Sequence, residues 1–143
     1  MGKITRKIIR LENASAQALV EFALVLPIMI MIILGAMDIG RLFFLKMSLV
    51  NAAREGANYL AFYPEDIDNG YADTFTVISE EGSNSFVTLT EADVSYSGCC
   101  TRGLPVEVTV TRTVDLIFDG VLQSLGLIGG PVQLTGTVSM VVQ

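Results

Sequence analysis

Hydrophobic and polar positions divide the chain into three regimes. Residues 22–37 are sixteen consecutive positions without a charge, and within residues 16–37 the one charged side chain is Glu21. Apolar residues occupy every side of a helix over this run, so none of its faces is suited to water. As a helix, residues 16–37 span roughly 33 Å, enough for a hydrocarbon core of about 30 Å. The pattern predicts one membrane-spanning helix, with its transmembrane part at about residues 18–45. Pro27 lies inside it; proline removes one helical hydrogen bond and tends to kink the rod.

The second regime is amphipathic. No helix breaker interrupts residues 41–62 apart from isolated glycines. At 100° per residue, Leu49, Ala52, Ala53, Gly56, Leu60 and Tyr63 fall on one side, and Asn51, Arg54, Glu55 and Asn58 on the other. Pro64 disfavours helical conformation in the residue ahead of it. One helix over residues 17–63 is therefore expected. At roughly 70 Å it is far longer than a bilayer requires, so its distal half should form one wall of a domain outside the membrane.

The third regime, residues 64–143, reads as β-rich. Residues 75–78 and 86–90 are expected as short strands around an EEGSNS turn, and residues 93–97 as a weaker strand. Residues 104–111 alternate Leu104, Val106, Val108 and Val110 with Glu107, Thr109 and Thr111, a half-buried strand. A short helix fits within residues 115–126, followed by a loop at 129–131. The last stretch places Val132, Leu134, Val138, Met140 and Val142 opposite Gln133, Thr135, Thr137 and Ser139. The fold class is α+β: a long N-terminal helix packed on a small antiparallel sheet.

Charge gives this layout a direction. The net charge is −6, but Lys3, Arg6, Lys7 and Arg10 precede residue 17 against the single acid Glu12, whereas twelve acids and three bases follow Met47. Basic residues at one end of a spanning helix hold that end in the cytoplasm. The N-terminus is expected inside and the acidic domain outside. The acidic domain has no basic cluster, which argues against nucleic-acid binding. A cleaved secretory signal shares the basic leader, but its apolar core is shorter, 7–15 residues.

Few residues bear chemistry. Glu21 is costly in an apolar segment unless it snorkels to the interface or pairs with a cation. Asp38 and Arg41, at i and i+3, can form a local ion pair or reach a neighbouring subunit. Gly35, Ala36 and Gly40 are candidate helix-packing positions, with a small-xxx-small spacing at Ala36 and Gly40 that permits close approach of another helix. Cys99 and Cys100 are either a vicinal disulfide or free thiols; their Cα atoms, about 3.8 Å apart, are closer than ordinary disulfide geometry. Asp66, Asp68 and Gly70 faintly suggest a calcium loop without its downstream glutamate. There is no histidine, and no phosphate loop, nucleophile triad or metal-ligand spacing. No enzymatic activity, cofactor or metal is expected.

A basic leader, a small residue and then QALVEF resembles a type IV prepilin signal. The continuation ALVLP and GAMDIGRLFFLKMSLVNAAREGA resembles the TadE-like pseudopilins of tight-adherence (Flp-type) pili. The resemblance is dense over residues 16–60 and looser over VEVTVTRTVDLIFDGVL and LTGTVSMVVQ. It implies a leader at residues 1–16, removed by a prepilin peptidase between Ala16 and Gln17. The residue before the cut is usually glycine; here it is Ala16. It further implies a pilus subunit, lifted from the cytoplasmic membrane by an assembly platform into a surface filament of self or related pilin subunits. Glu21 and Phe22 would lie at the head of the packed helices, with Pro27, Asp38 and Arg41 further along as assembly residues. The alternative is a permanently anchored single-pass protein whose outer domain binds a partner.

Overall fold

The computed structural model describes residues 2–98, 101–124, 126 and 130–143, with residues 2–15 and 121–122 described by their backbone. In order, the elements are helix α1 (Gly2–Phe62), a 3-10 helix (Pro64–Asn69), α2 (Ala72–Asn84), a second 3-10 helix (Glu91–Asp93), strands β1 (Val94–Ser97) and β2 (Pro105–Val114), the short helix α3 (Asp119–Ser124) and strand β3 (Val132–Val141). The chain divides into two compact units, Met1–Asp38 and Ile39–Gln143.

The first unit is helix alone. α1 starts at Gly2 rather than near residue 17, so residues 2–16 are helical as well. No proline or glycine interrupts residues 3–26, and nothing in that stretch gives the backbone a reason to leave the helix. Pro27 sits inside α1.

The second unit buries the face that the helical period marked. Leu49, Ala52, Ala53, Ala57 and Leu60 join Ile78, Val87, Leu89, Val106, Val108, Val110 and Val142 in one core, while Asn51, Arg54, Glu55 and Asn58 are exposed. Tyr63, expected on the buried side, is half-exposed, because α1 has ended at Phe62. Each large side chain buried here, such as Leu49, Leu60 or Ile78, contributes about 1.5–3 kcal/mol relative to leaving it in water.

The sheet has three antiparallel strands in the order β1-β2-β3. β1 pairs Val94 with Val110 and Tyr96 with Val108; β3 pairs Val138 with Val108 and Gly136 with Val110. This register puts Val106, Val108 and Val110 against α1 and leaves threonine pairs on the other face. There Thr109 and Thr137 share a hydroxyl hydrogen bond of 3.1 Å, and Thr111 and Thr135 one of 3.3 Å. At the far end, the Gln143 N–H donates to the Ala61 carbonyl (2.9 Å), satisfying an acceptor that the end of α1 would otherwise leave open.

Two expected strands are replaced. Residues 75–78 belong to α2, and residues 86–90 form no strand. The β-branched TFTVI run suggested a strand, but its buried positions, Thr74, Ile78 and Gly82, are four apart, a helical period. The start of α2 is held from outside by Asp66. Its carboxylate accepts the backbone N–H of Thr74 (2.8 Å) and of Asp73 (3.4 Å), and also the Thr74 hydroxyl. Such a distant cap has no local sequence signature. Residues 87–90 still alternate in burial, with Val87 and Leu89 buried and Thr88 and Thr90 exposed, but they are not part of a strand.

Gly136 sets how closely β3 lies on α1. A Cβ at this position would stand 2.6 Å from the carbonyl carbon of Leu49 and 2.7 Å from the nitrogen of Val50. These are backbone atoms and cannot swing aside. Gly56 is less strict, since a Cβ there meets the flexible end of Ile78. Gly136→Ala is therefore expected to destabilise the second unit by about 1–3 kcal/mol, and by more than Gly56→Ala. Denaturant unfolding of the full chain in detergent micelles checks the order.

Candidate functional site

The segment singled out by sequence, residues 16–41, is uncovered over nearly its whole length. Leu19, Val20, Phe22, Leu24, Ile28, Ile32 and Ile33 are each more than half exposed. Within Ala16–Phe62, α1 is long and apolar enough to cross a membrane, and its most apolar stretch is entirely unburied. The Ala16–Gln17 peptide bond lies inside the helix. One turn on, the Gln17 side-chain amide donates to Glu21 Oε1 at 3.1 Å. The carboxylate thus has a neutral partner from its own helix, at the i, i+4 spacing where side chains meet.

Further along, Gly35 and Gly40 face open space: a Cβ at either would meet nothing within 4 Å. Ala36 is exposed too, so the small-xxx-small pair Ala36 and Gly40 is uncovered. Asp38 is buried. Arg41 donates from Nη1 to the backbone carbonyl of Asp115 (3.2 Å), just past the end of β2. That contact was not read from the sequence, which pointed Arg41 to Asp38 or to a neighbouring subunit. Lys46 makes a second such tie, donating to the Thr135 carbonyl on β3. Its acceptor became visible only with the register of β3. Cys99 and Cys100 lie outside the described residues.

The polar clusters of the second unit serve structure. Asp66, the first carboxylate of the faint calcium pattern, is buried and spent on capping α2. Among the described residues, no group of three or more His, Cys, Asp or Glu side chains is placed to hold a metal ion. Asp93 Oδ2 gathers the Thr90 N–H (2.9 Å), the Thr90 hydroxyl (2.8 Å) and Arg112 Nη1 (3.0 Å). Partial burial pushes the Asp93 carboxyl up, but the Thr90 hydrogen bonds and the Arg112 charge outweigh it, and its pKa falls below the ordinary value. Tyr96 stacks on Tyr71 with ring centroids 4.1 Å apart. Burial, then the negative charges of Asp66 and Glu91, push its hydroxyl up to about 12.

Comparison with known families finds that the model for TadE-like protein matches residues 16–58, which are identified as a TadE-like domain. Together with one helix long and apolar enough to cross a membrane, the match supports a pilin-type, membrane-associated protein. No curated protein and no solved structure gives a significant match.

The Tyr96 geometry makes a pH prediction. A hydroxyl that keeps its proton to about 12 in the fold, but releases it near 10 when unfolded, stabilises the fold fully below pH 10. That stability drains as pH rises from about 10 through about 12. Tyr96→Phe should flatten the loss across this window, as measured by denaturant unfolding at a series of alkaline pH values.

Proposed function

We propose that this chain is a structural subunit of a tight-adherence, type IV-like pilus, assembled by bundling of its N-terminal helices. The observation that carries the proposal is the apolar run of α1, bare on all sides and broken only by Glu21. The TadE-like match covers the same residues. In this reading the helix first rests in the cytoplasmic membrane with the basic leader inside. A prepilin peptidase cuts between Ala16 and Gln17, and an assembly platform lifts the mature chain outward. The apolar surface then exchanges lipid for the helices of neighbouring pilin subunits. The uncovered pair Ala36 and Gly40 admits the closest approach.

Glu21 has a specific part in this scheme. Cleavage creates a new amine on Gln17, and a neighbouring subunit's Glu21 is the carboxylate that can neutralise it away from water. An unpaired charge in an apolar bundle is strongly unfavourable, so pairing penalises packing in the wrong register. Asp38 and Arg41 lie at the outer end of the spanning segment. The role is scaffolding rather than catalysis, and it requires no cofactor.

Mass analysis of the mature chain should find Gln17 at its N-terminus; an intact Met1 in the assembled or membrane-bound protein would favour the permanently anchored alternative. Glu21→Val should leave membrane insertion unchanged and lower filament incorporation about tenfold or more, the equivalent of roughly 1.4 kcal/mol or more per subunit. Quantifying this chain in sheared surface filaments checks it, and wild-type incorporation of the variant would remove the pairing role.

A further inference from the structure

The second unit carries an open groove of about 550 Å³ where α1 leaves the apolar run, with Arg41, Leu45, Phe86, Arg112, Asp115 and Ile117 on its walls. We propose that this groove is a seat on the bilayer: its arginines engage the phosphates of the outer lipid headgroups, and Phe86 and Ile117 dip toward the acyl boundary. The inference rests on the reading of α1 as a spanning helix.

Phe86 is the first observation. It is 94% exposed, the highest value among the exposed large hydrophobic side chains. It also holds a left-handed backbone at φ 58°, a conformation that disfavours a bulky side chain. The Phe86 N–H donates to Ser83 at 3.0 Å and the next N–H, of Val87, to Gly82 at 2.8 Å, so the turn is hydrogen-bonded and fixed. A strained turn that pushes an aromatic ring fully into solvent is understandable if the ring meets a non-aqueous phase. Ile117, also on the groove, is 57% exposed, and on the adjoining turns of α1 Phe43 and Phe44 are 67% and 52% exposed.

The second observation is where the positive charge lies. From Ile39 onward the chain has twelve acids and five bases: Arg41, Lys46, Arg54, Arg102 and Arg112. Two of the five line the groove, and Lys46 stands little more than one turn beyond Arg41. Arg41 gives Nη1 to the Asp115 carbonyl and Arg112 gives Nη1 to Asp93. A guanidinium has five N–H donors in a fork suited to phosphate, so each keeps donors for a headgroup while its position is fixed by the fold.

The third observation is depth. Arg41 follows Met37, the last residue of the uncharged run, by four positions, about 6 Å along a helix. The headgroup layer on each side of a bilayer is about 5–7 Å thick, taken from total and hydrocarbon thickness. If the uncharged run ends where hydrocarbon ends, Arg41 falls among the phosphates. An acidic protein segment is a poorer occupant: it would use the arginines but give the exposed Phe86 and Ile117 nothing apolar to meet.

The chain has no tryptophan, so a single introduced Trp reports its own surroundings. The full-length chain would be reconstituted in vesicles of phosphatidylcholine and phosphatidylglycerol, with and without bromine on the acyl chains. Four variants are compared: Phe86→Trp and Ile117→Trp on the groove, Phe22→Trp in the apolar run, and Phe62→Trp at the distal end of α1. The expected result is a blue shift and loss of emission to brominated lipid for Phe86→Trp and Ile117→Trp, strong loss for Phe22→Trp and none for Phe62→Trp. Quenching of Phe22→Trp with both groove reporters as unquenched as Phe62→Trp would overturn the seat and leave the spanning helix standing. An unquenched Phe22→Trp would overturn the spanning helix and the seat together.

Discussion

The constraint on which the rest depends is the free energy of the apolar run of α1 in water. Twelve large apolar side chains between Leu19 and Ile33 are exposed by a third or more. Moving each from half-exposed to buried is worth on the order of 1 kcal/mol, about 10 kcal/mol in sum. That is comparable with the whole folding stability of a small domain, about 5–15 kcal/mol. Among the described residues nothing covers this surface, so the favourable state of the chain is one in which lipid or other helices do. Against that background a lone carboxylate at Glu21 is conspicuous, because it is the one group in the run that a purely hydrophobic partner could not satisfy.

The second unit solves a different problem on the same helix. It must attach a sheet to the distal half of α1 without greasing the solvent face. The answer is small residues: Ala52, Ala53, Gly56 and Ala57 bring α1 close to the sheet, and Gly136 on β3 approaches the helix backbone itself. Polar ties close the edges. Arg41 reaches the end of β2, Lys46 reaches Thr135 on β3, and the chain terminus returns to Ala61. These bonds link the first turns of the unit to strands distant in sequence and fix the position of the groove beside Arg41.

The parts legible in the sequence were those with strong periodicity. The helical side carrying Leu49, Ala52, Ala53, Gly56 and Leu60, and the alternation of Val106, Val108 and Val110, were both found where the pattern placed them. The missed helix, α2, had β-branched residues that mimic a strand, and its cap came from Asp66, six residues before its first position. Nothing local announces such a cap. The Arg41 and Lys46 contacts were illegible for a similar reason, since each depends on which strand turns its carbonyls toward α1. Among the residues proposed for assembly, Glu21 stood out because a charge in an apolar run is rare. The near approach at Gly136 was not, because glycines in loops and strands look alike until a neighbour is known.

The chain is expected to keep its apolar run out of water at every stage. Its distribution after membranes are washed with alkaline carbonate and then treated with a mild detergent tests this. The full-length protein should stay in the membrane pellet through the wash and be released only by detergent. Recovery in the aqueous wash as a folded monomer, with no lipid or detergent bound, would contradict it.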